Sequence, residues 1–472
     1  MGSYSRTAYL ALKKETTENT AVTPDVFVPF LSESIAAELA NSFSKSIVGS
    51  RSLNYDIIKH AIPAPAGEIT LNVEPQEFGH FLRGLAGAIS TGNYFPITSL
   101  SADFTVGETV TGGTSLKTAV VVGTSTEGDY VLVNTMSGAF TDGETITGGT
   151  SGSTATLTKA DALIYGHEVT LPQTSLDFTY TVEVGYDNEV VRYTGVRFHS
   201  MAFNQTENII TAKISVSARA QFRGARVTEA ETSGAGAHTV LLDQTTGLAA
   251  SDTIKVYRRG TGFLDFSAAS VKTHTVASVP DETSITFTNL ETSLAVDDII
   301  VLAPQTDTYT VEKEFTWAGG SVLRLGTTIT AALTTAADYI EDFELNIVNN
   351  IEPRHAANGI NHVDRYPAKV FTAGFDVTGK IMRTYTDVTY LDKLRGLEKF
   401  ALHLLSTGEA ITVAADFSYL LDIRVADCRH LPFQPSIAED DLLNQDMDFA
   451  VLPSLDDGYT VKILLVNDSD SY

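Results

Sequence analysis

"AGEITLNVEPQEFGHFLRGL" (residues 66–85) and "TGKIMRTYTDVTYLDKLRGL" (378–397) lie over one another without a gap, at an offset of 312 residues. Both end in one tetrapeptide, Leu82-Arg83-Gly84-Leu85 and Leu394-Arg395-Gly396-Leu397. Gly67 falls on Gly379, Ile69 on Ile381 and Phe78 on Tyr390. Each copy reads as a strand, a turn with acidic residues and a short helix. In the first, Phe78, Phe81, Leu82, Leu85 and Ile89 recur at the spacing of one helical face, and Pro75 suits a first helical turn. Gly79, Gly84 and Gly87 each lower helix propensity by roughly 1 kcal/mol, which makes sense if something packs close. In the second, Leu391, Leu394, Leu397, Ala401 and Leu404 follow the helical spacing, with Asp387 placed to cap the N-terminus. Leu82, Leu85, Leu394 and Leu397 are expected to bury each helix, Gly84 and Gly396 to permit close approach, and Arg83 and Arg395 to face solvent or an acidic neighbour.

Around these units the pattern is β. "HEVTLPQTSLDFTYTVEVGYD" (167–187) and "NIITAKISVSARA" (208–220) alternate with period two, placing Ala212, Ile214, Val216 and Ala218 on one face. Two stretches differ in style. From 101 to 162 the chain is rich in Thr, Ser and Gly and repeats itself, "FTVGETVTGGTS" (104–115) over "FTDGETITGGTS" (140–151). Short strands between Gly-rich turns are expected; no GK[ST] follows, so a phosphate cradle is not. From 231 to 307, opened by "ETSGAGAH", a second echo places "LAASDTIKV" (248–256) over "LAVDDIIVL" (294–302), with Asp252 on Asp298. The plan is therefore a mainly β protein: a first unit over 1–100 and 163–230, an inserted β module over 101–162, a second over 231–307, and a second unit over 308–472. Insertions of this kind enter at exposed loops.

Composition narrows the function. At 472 residues the chain exceeds one ordinary core. Fifty-eight acidic against 32 basic side chains give a formal charge of −26, which opposes a sequence reader of nucleic acid. Cys428 is the one cysteine, so neither a disulfide framework nor a thiolate zinc site is available. No run reaches the roughly 18–20 apolar residues of a membrane span, and residues 1–24 lack a secretory pattern. A soluble protein made in the cytoplasm, without membrane insertion, is expected.

Candidate chemistry is sparse. His355 and His362 sit in a loop-like "RHAANGINH", a poor metal site. Cys428 and His430 would share a strand face, and a half-buried structural cysteine is the better reading. Glu439, Asp440, Asp441, Asp446 and Asp448 could supply paired carboxylates for glycoside hydrolysis or calcium, but the EF-hand spacing is absent and a solvated loop is the default. Aromatic residues, 9% of the chain, are dispersed, so no sugar-stacking platform stands out. No catalytic, cofactor or metal residue is assigned.

"YLALKKETTENTAVTPDVFVPFLSES" (9–34), "GSRS" (49–52), the strand and helix ending in the first "LRGL", then "FELNIVNNIEPR" (343–354) and "FTAGFDVTGKI" (371–381) resemble the tail tube proteins of long-tailed, non-contractile bacteriophages. The resemblance covers the two units and leaves the inserts out. It implies two tandem β-sandwich or barrel tube domains, each flanked by a helix. It also implies stacked rings around a tape measure protein, capped by tail terminator and tail tip proteins, assembled in the host cytoplasm and carried in the virion tail. DNA would pass through the lumen without sequence-specific contact. A doubled domain would complete a pseudo-hexameric ring from three chains. The alternative is a tail-associated polysaccharide-degrading or carbohydrate-binding protein.

Overall fold

The computed structural model describes residues 8–37, 41–46, 54–59, 64–125, 127–172, 178–186, 189–206, 209–265, 273–306, 309, 313–317, 320–333, 340–354, 369–384, 396, 398–432 and 444–472. Alternation decides which side of each strand is buried: Ala212, Ile214, Val216 and Ala218 are within 1% of complete burial. Met201, Phe203, Ile69 and Leu71 join them from neighbouring strands.

Two sets of antiparallel strands share this core. The first is organised by the long strand Val190–Thr206. Its early half pairs with Tyr180–Gly185, which pairs with Tyr9–Lys14, and on its other side with Ala220–Phe222. After a register shift between Phe198 and Ser200, its late half pairs with Ile209–Ser217, followed by Ala66–Asn72 and Ser32–Glu33. One strand thus serves two layers, and the irregularity marks where it turns from one to the other. The second set is organised by Ala414–His430. That strand pairs with Lys399–Ile411, itself paired with Val322–Gly326, and on its other side with Val461–Asn467. Its end pairs with Asn444–Val451, followed by Lys369–Thr384 and Ile340–Arg354. The two sets join edge to edge where Ile340–Arg354 lies on Val190–Thr206, from Ser200↔Val348 to Gln205↔Phe343.

The first helix runs over Phe78–Ala86, three residues after Pro75, which lies in the preceding turn. Phe78, Phe81, Leu82 and Leu85 are buried on one face. Phe78 meets Phe203, and Phe81 meets Phe198, at 5.7 and 5.2 Å between ring centroids. Ile89 falls beyond the helix. The second helix does not extend as its spacing suggested: Ala401 and Leu404 lie in the strand Lys399–Ile411, where both are buried. β pairing with Val322–Gly326 and Ala414–His430 satisfies their backbone on both sides, so tertiary ladders override local periodicity. Asp387, Leu391, Leu394, Arg395 and Leu397 lie outside the described residues, and Gly396 sits in a turn.

Each Gly-rich stretch is a module with its own core. In the first, Ser90–Thr98, Tyr130–Asn134, Thr118–Thr124, Thr109–Gly112, Thr145–Gly148 and Thr154–Leu157 pair in that cyclic order and close a small barrel. Closure removes the exposed edges that would otherwise invite aggregation. The repeated dodecapeptide explains the closure. Thr109–Gly112 and Thr145–Gly148 pair as mirror partners, Val110↔Gly148 and Gly112↔Ile146. Glu108 accepts hydrogen bonds from the Thr150 and Ser151 amides and the Ser151 hydroxyl, while Glu144 accepts the same set from Thr114 and Ser115. Each glutamate therefore ties down the Gly-Gly-Thr-Ser turn of the other repeat. Burial would raise the Glu108 carboxyl, but the amide and hydroxyl hydrogen bonds outweigh it and hold it at about 2.

The second module stacks Gly234–Leu241, Ser284–Leu290 and Ser278–Asp281 against Ala225–Arg226, Ile299–Leu302, Thr253–Arg258 and Gly262–Phe263. In its echoed turns Asp252 accepts from the Ala249 amide and Asp298 from the Ala295 amide.

Candidate assembly surfaces

The repeat residues of the first unit form a close-packed joint. Leu82 and Leu85 are buried, and a Cβ on Gly84 would come within 2.0 Å of the Phe198 ring, so only glycine lets helix and sheet approach this closely. A Cβ on Gly79 would meet the Tyr472 ring at the same distance. Gly87 ends the helix at φ 85°, its amide donating to the Arg83 carbonyl. Arg83 is half-buried, with its guanidinium 5.5 Å from the Phe178 ring.

Both long strands carry a buried arginine facing an insert. Arg192 donates to Glu183 through Nε (2.9 Å), to Asp252 through both terminal nitrogens (2.5 and 2.9 Å) and to the Gly247 carbonyl (3.0 Å). Tyr9 and Gln305 donate to the other carboxylate oxygen of Glu183, Oε1, at 2.6 and 2.9 Å. Asp252 belongs to the second module, so this cluster docks that module on the first strand set. Arg424 contacts Asp422 on its own strand (2.6 Å) and Glu127 and Asp129 of the first module (2.8 and 2.5 Å). Ser125 Oγ accepts from it at 3.0 Å, and Tyr459 donates to Glu127 at 2.8 Å. Burial opposes the charge on Asp422, yet Arg424 and His403 hold its carboxyl well below the usual range. For Glu127 burial is likewise opposed, by Lys462 and Arg424, which leave it at about 2. Neither arginine had a signal in the sequence; the Asp252/Asp298 echo marked only the acid of one cluster.

Among the described residues the sheet face opposite the helix is exposed. On it Glu68 pairs with Lys213 (2.8 Å) and Lys380 with Asp446 (2.7 Å), and Glu344, Asp376 and Asp448 lie on the same face. Of the acidic stretch, Asp446 and Asp448 therefore stand on a strand rather than in a loop, and Glu439, Asp440 and Asp441 lie outside the described residues, as do His355 and His362. Cys428 is fully buried and burial pushes its thiol well up, which disfavours a thiolate. His430 stacks on Phe400 at 4.4 Å. Among the described residues no group of three or more His, Cys, Asp or Glu gathers to hold a metal, and no helix is long and apolar enough to cross a membrane.

The family model for phage tail tube proteins matches residues 5–451. The chain belongs to the phage tail tube protein family. It is a structural component of the virion tail, and self-assembly into a tube with other tail components follows from membership. The match spans both modules and, apart from the last strand Val461–Asn467, both strand sets of this tail tube protein. Nothing among the curated proteins matches it.

Proposed function

We propose that each chain supplies two tube domains, that three chains close a pseudo-hexameric ring, and that stacked rings enclose a lumen through which DNA leaves. One observation carries the reading: when Gly67 is set on Gly379, the pairings of the two strand sets follow each other. Gly67 faces Val216 and Gly379 faces Phe449. Val216 faces Phe198 and Phe449 faces His430. Six residues back along the long strands, Arg192 faces Glu183 and Arg424 faces His403. Beyond them, Glu183 faces Ala11 and His403 faces Arg324. Three residues after the glycines, Thr70 faces Ser32 and Met382 faces Asp342. Agreement through this many independent ladders supports one module used twice.

The same correspondence supports ring closure. Within the chain, Ile340–Arg354 adds to the first set's long strand. Its counterpart Ser32–Glu33 pairs, among the described residues, with Ala66–Asn72 alone. The matching acceptor in a neighbouring copy is the continuation of Ala414–His430 just past His430, and repeating that step closes a ring. The open inner face, with Glu68, Glu344, Asp376, Asp446 and Asp448 against Lys213 and Lys380, would line the lumen. An acidic wall gives phosphates no counterion-release gain, so DNA and the tape measure protein can slide. Both inserts hang on the opposite layer, which supports an outward position for them on the tube. Terminator and tip proteins would meet the two ring ends, after assembly in the host cytoplasm. No catalytic role is part of this reading. Negative-stain imaging of purified protein tests it: hollow tubes are expected, and a chain that stays monomeric in every condition while hydrolysing polysaccharide would overturn it.

A further inference from the structure

We propose that the outward face of the second insert binds acidic polysaccharide. Lys255 and Tyr257 alternate with the buried Ile254 and Val256 along Thr253–Arg258 and share the opposite face, and the exposed Arg259 follows in the turn. Phe263 lies opposite Tyr257 on one neighbouring strand, and Ile299 lies opposite it on the other. Tyr257 and Ile299 are 40% and 41% exposed, far more than their core-facing neighbours. The Tyr257 and Phe263 rings meet edge to face, 5.7 Å apart at 75°, and Lys255 Nζ lies 5.7 Å from the Phe263 centroid. Among the described residues no carboxylate lies within ion-pair distance of Lys255 or Arg259, whereas Arg226 at the margin is shared with Asp243 and Asp297.

The result is a partly exposed apolar patch of two rings set edge to face and an isoleucine, beside two cations that have no carboxylate partner among the described residues. Aromatic faces pack the C–H faces of sugar rings, and ammonium and guanidinium groups pair with carboxylates. A chain of formal charge −26 repels an acidic polymer overall, so attraction has to come from local cations such as Lys255 and Arg259. The sequence hid the platform because Tyr257 and Phe263 are adjacent through a hairpin, and Ile299 reaches them from more than thirty-five residues away. The outward position rests on the tube reading, and many copies along a tube would raise the avidity of weak single sites.

The test is affinity gel electrophoresis of the full chain, unassembled and as tubes, through gels containing polygalacturonate or neutral dextran. Retardation by polygalacturonate alone is expected, weakening with salt. Tyr257→Ala and the double variant Lys255→Gln, Arg259→Gln should each weaken it roughly tenfold while tube formation is unchanged. No retardation by polygalacturonate overturns the proposal, as does retardation lost in the charge variant and kept in Tyr257→Ala, which is plain ion exchange. Loss of assembly in either variant also overturns it, by making the patch a contact between copies. Because the unassembled chain is tested too, failure of tube formation and failure of glycan binding give different results.

Discussion

Arg192 and Arg424 occupy the same place in their strand sets, yet they hold their inserts differently. Arg192 is answered by one acid from its own set, Glu183, and one from the second module, Asp252, and its hydrogen bonds are all made in a nearly dry cluster. Arg424 is answered by Asp422 and by two acids of the first module, of which Asp129 is 44% exposed, and Lys462 supplies a further positive charge 3.9 Å from Glu127. At the position of Glu183 the second set has His403, whose Nε2 lies 3.0 Å from Asp422 Oδ1. On the reading that the two sets are one module used twice, a single buried arginine position serves two different inserts, each bringing carboxylates to a cation that is costly to leave unpaired.

Removing the cations tests that comparison most severely. Arg424→Met leaves the buried Asp422 and Glu127 without their arginine and should cost about 3–5 kcal/mol in denaturant unfolding. Arg192→Met should cost a similar amount, with early exposure of the second module to protease. Losses under about 1 kcal/mol in both would mean that neither cluster holds its insert.

Next comes Gly84→Ala, where the added methyl must displace the Phe198 ring; a loss of about 1–3 kcal/mol is expected from thermal unfolding. A comparable loss from Gly396→Ala would sharpen the equivalence of the two units, and a neutral result there would weaken it.

How much of this was legible beforehand depends on where the information lies. The strand alternation at 209–217, the first helix and the two internal echoes are local patterns, and each is found, although the helix begins after Pro75 and ends before Ile89. Ala401 and Leu404 misled because a Leu-rich run fits a helix and a doubly buried strand equally well. The arginine sockets were illegible, since their partners lie about 60 and 295 residues away and only the fold brings them together.

A smaller effect concerns acid. Glu108 and Glu127 sit at about 2 in the folded chain against an ordinary 4.5, so the stability they contribute is complete above pH 4.5 and is lost as pH falls toward 2. Glu108→Gln and Glu144→Gln should each cost about 1–3 kcal/mol at neutral pH and flatten that decline, to equal extents if the two repeats are mechanically equivalent. Circular dichroism across a pH series reads both.

The least effect is expected on the open face. Exchanging the signs of Glu68 and Lys213 copies the order found at Lys380 and Asp446, and these half-exposed pairs are worth at most about 1 kcal/mol.

The central claim is that one chain fills two places in a ring. Top-view averaging of assembled tubes by cryo-electron microscopy, with the number of chains per ring counted from the density, tests it most directly. Three chains per ring are expected, with two similar lobes from each and the Ser32–Glu33 strand of one chain beside the second long strand of the next. Six whole chains per ring, or lobes whose strand orders differ, would contradict it.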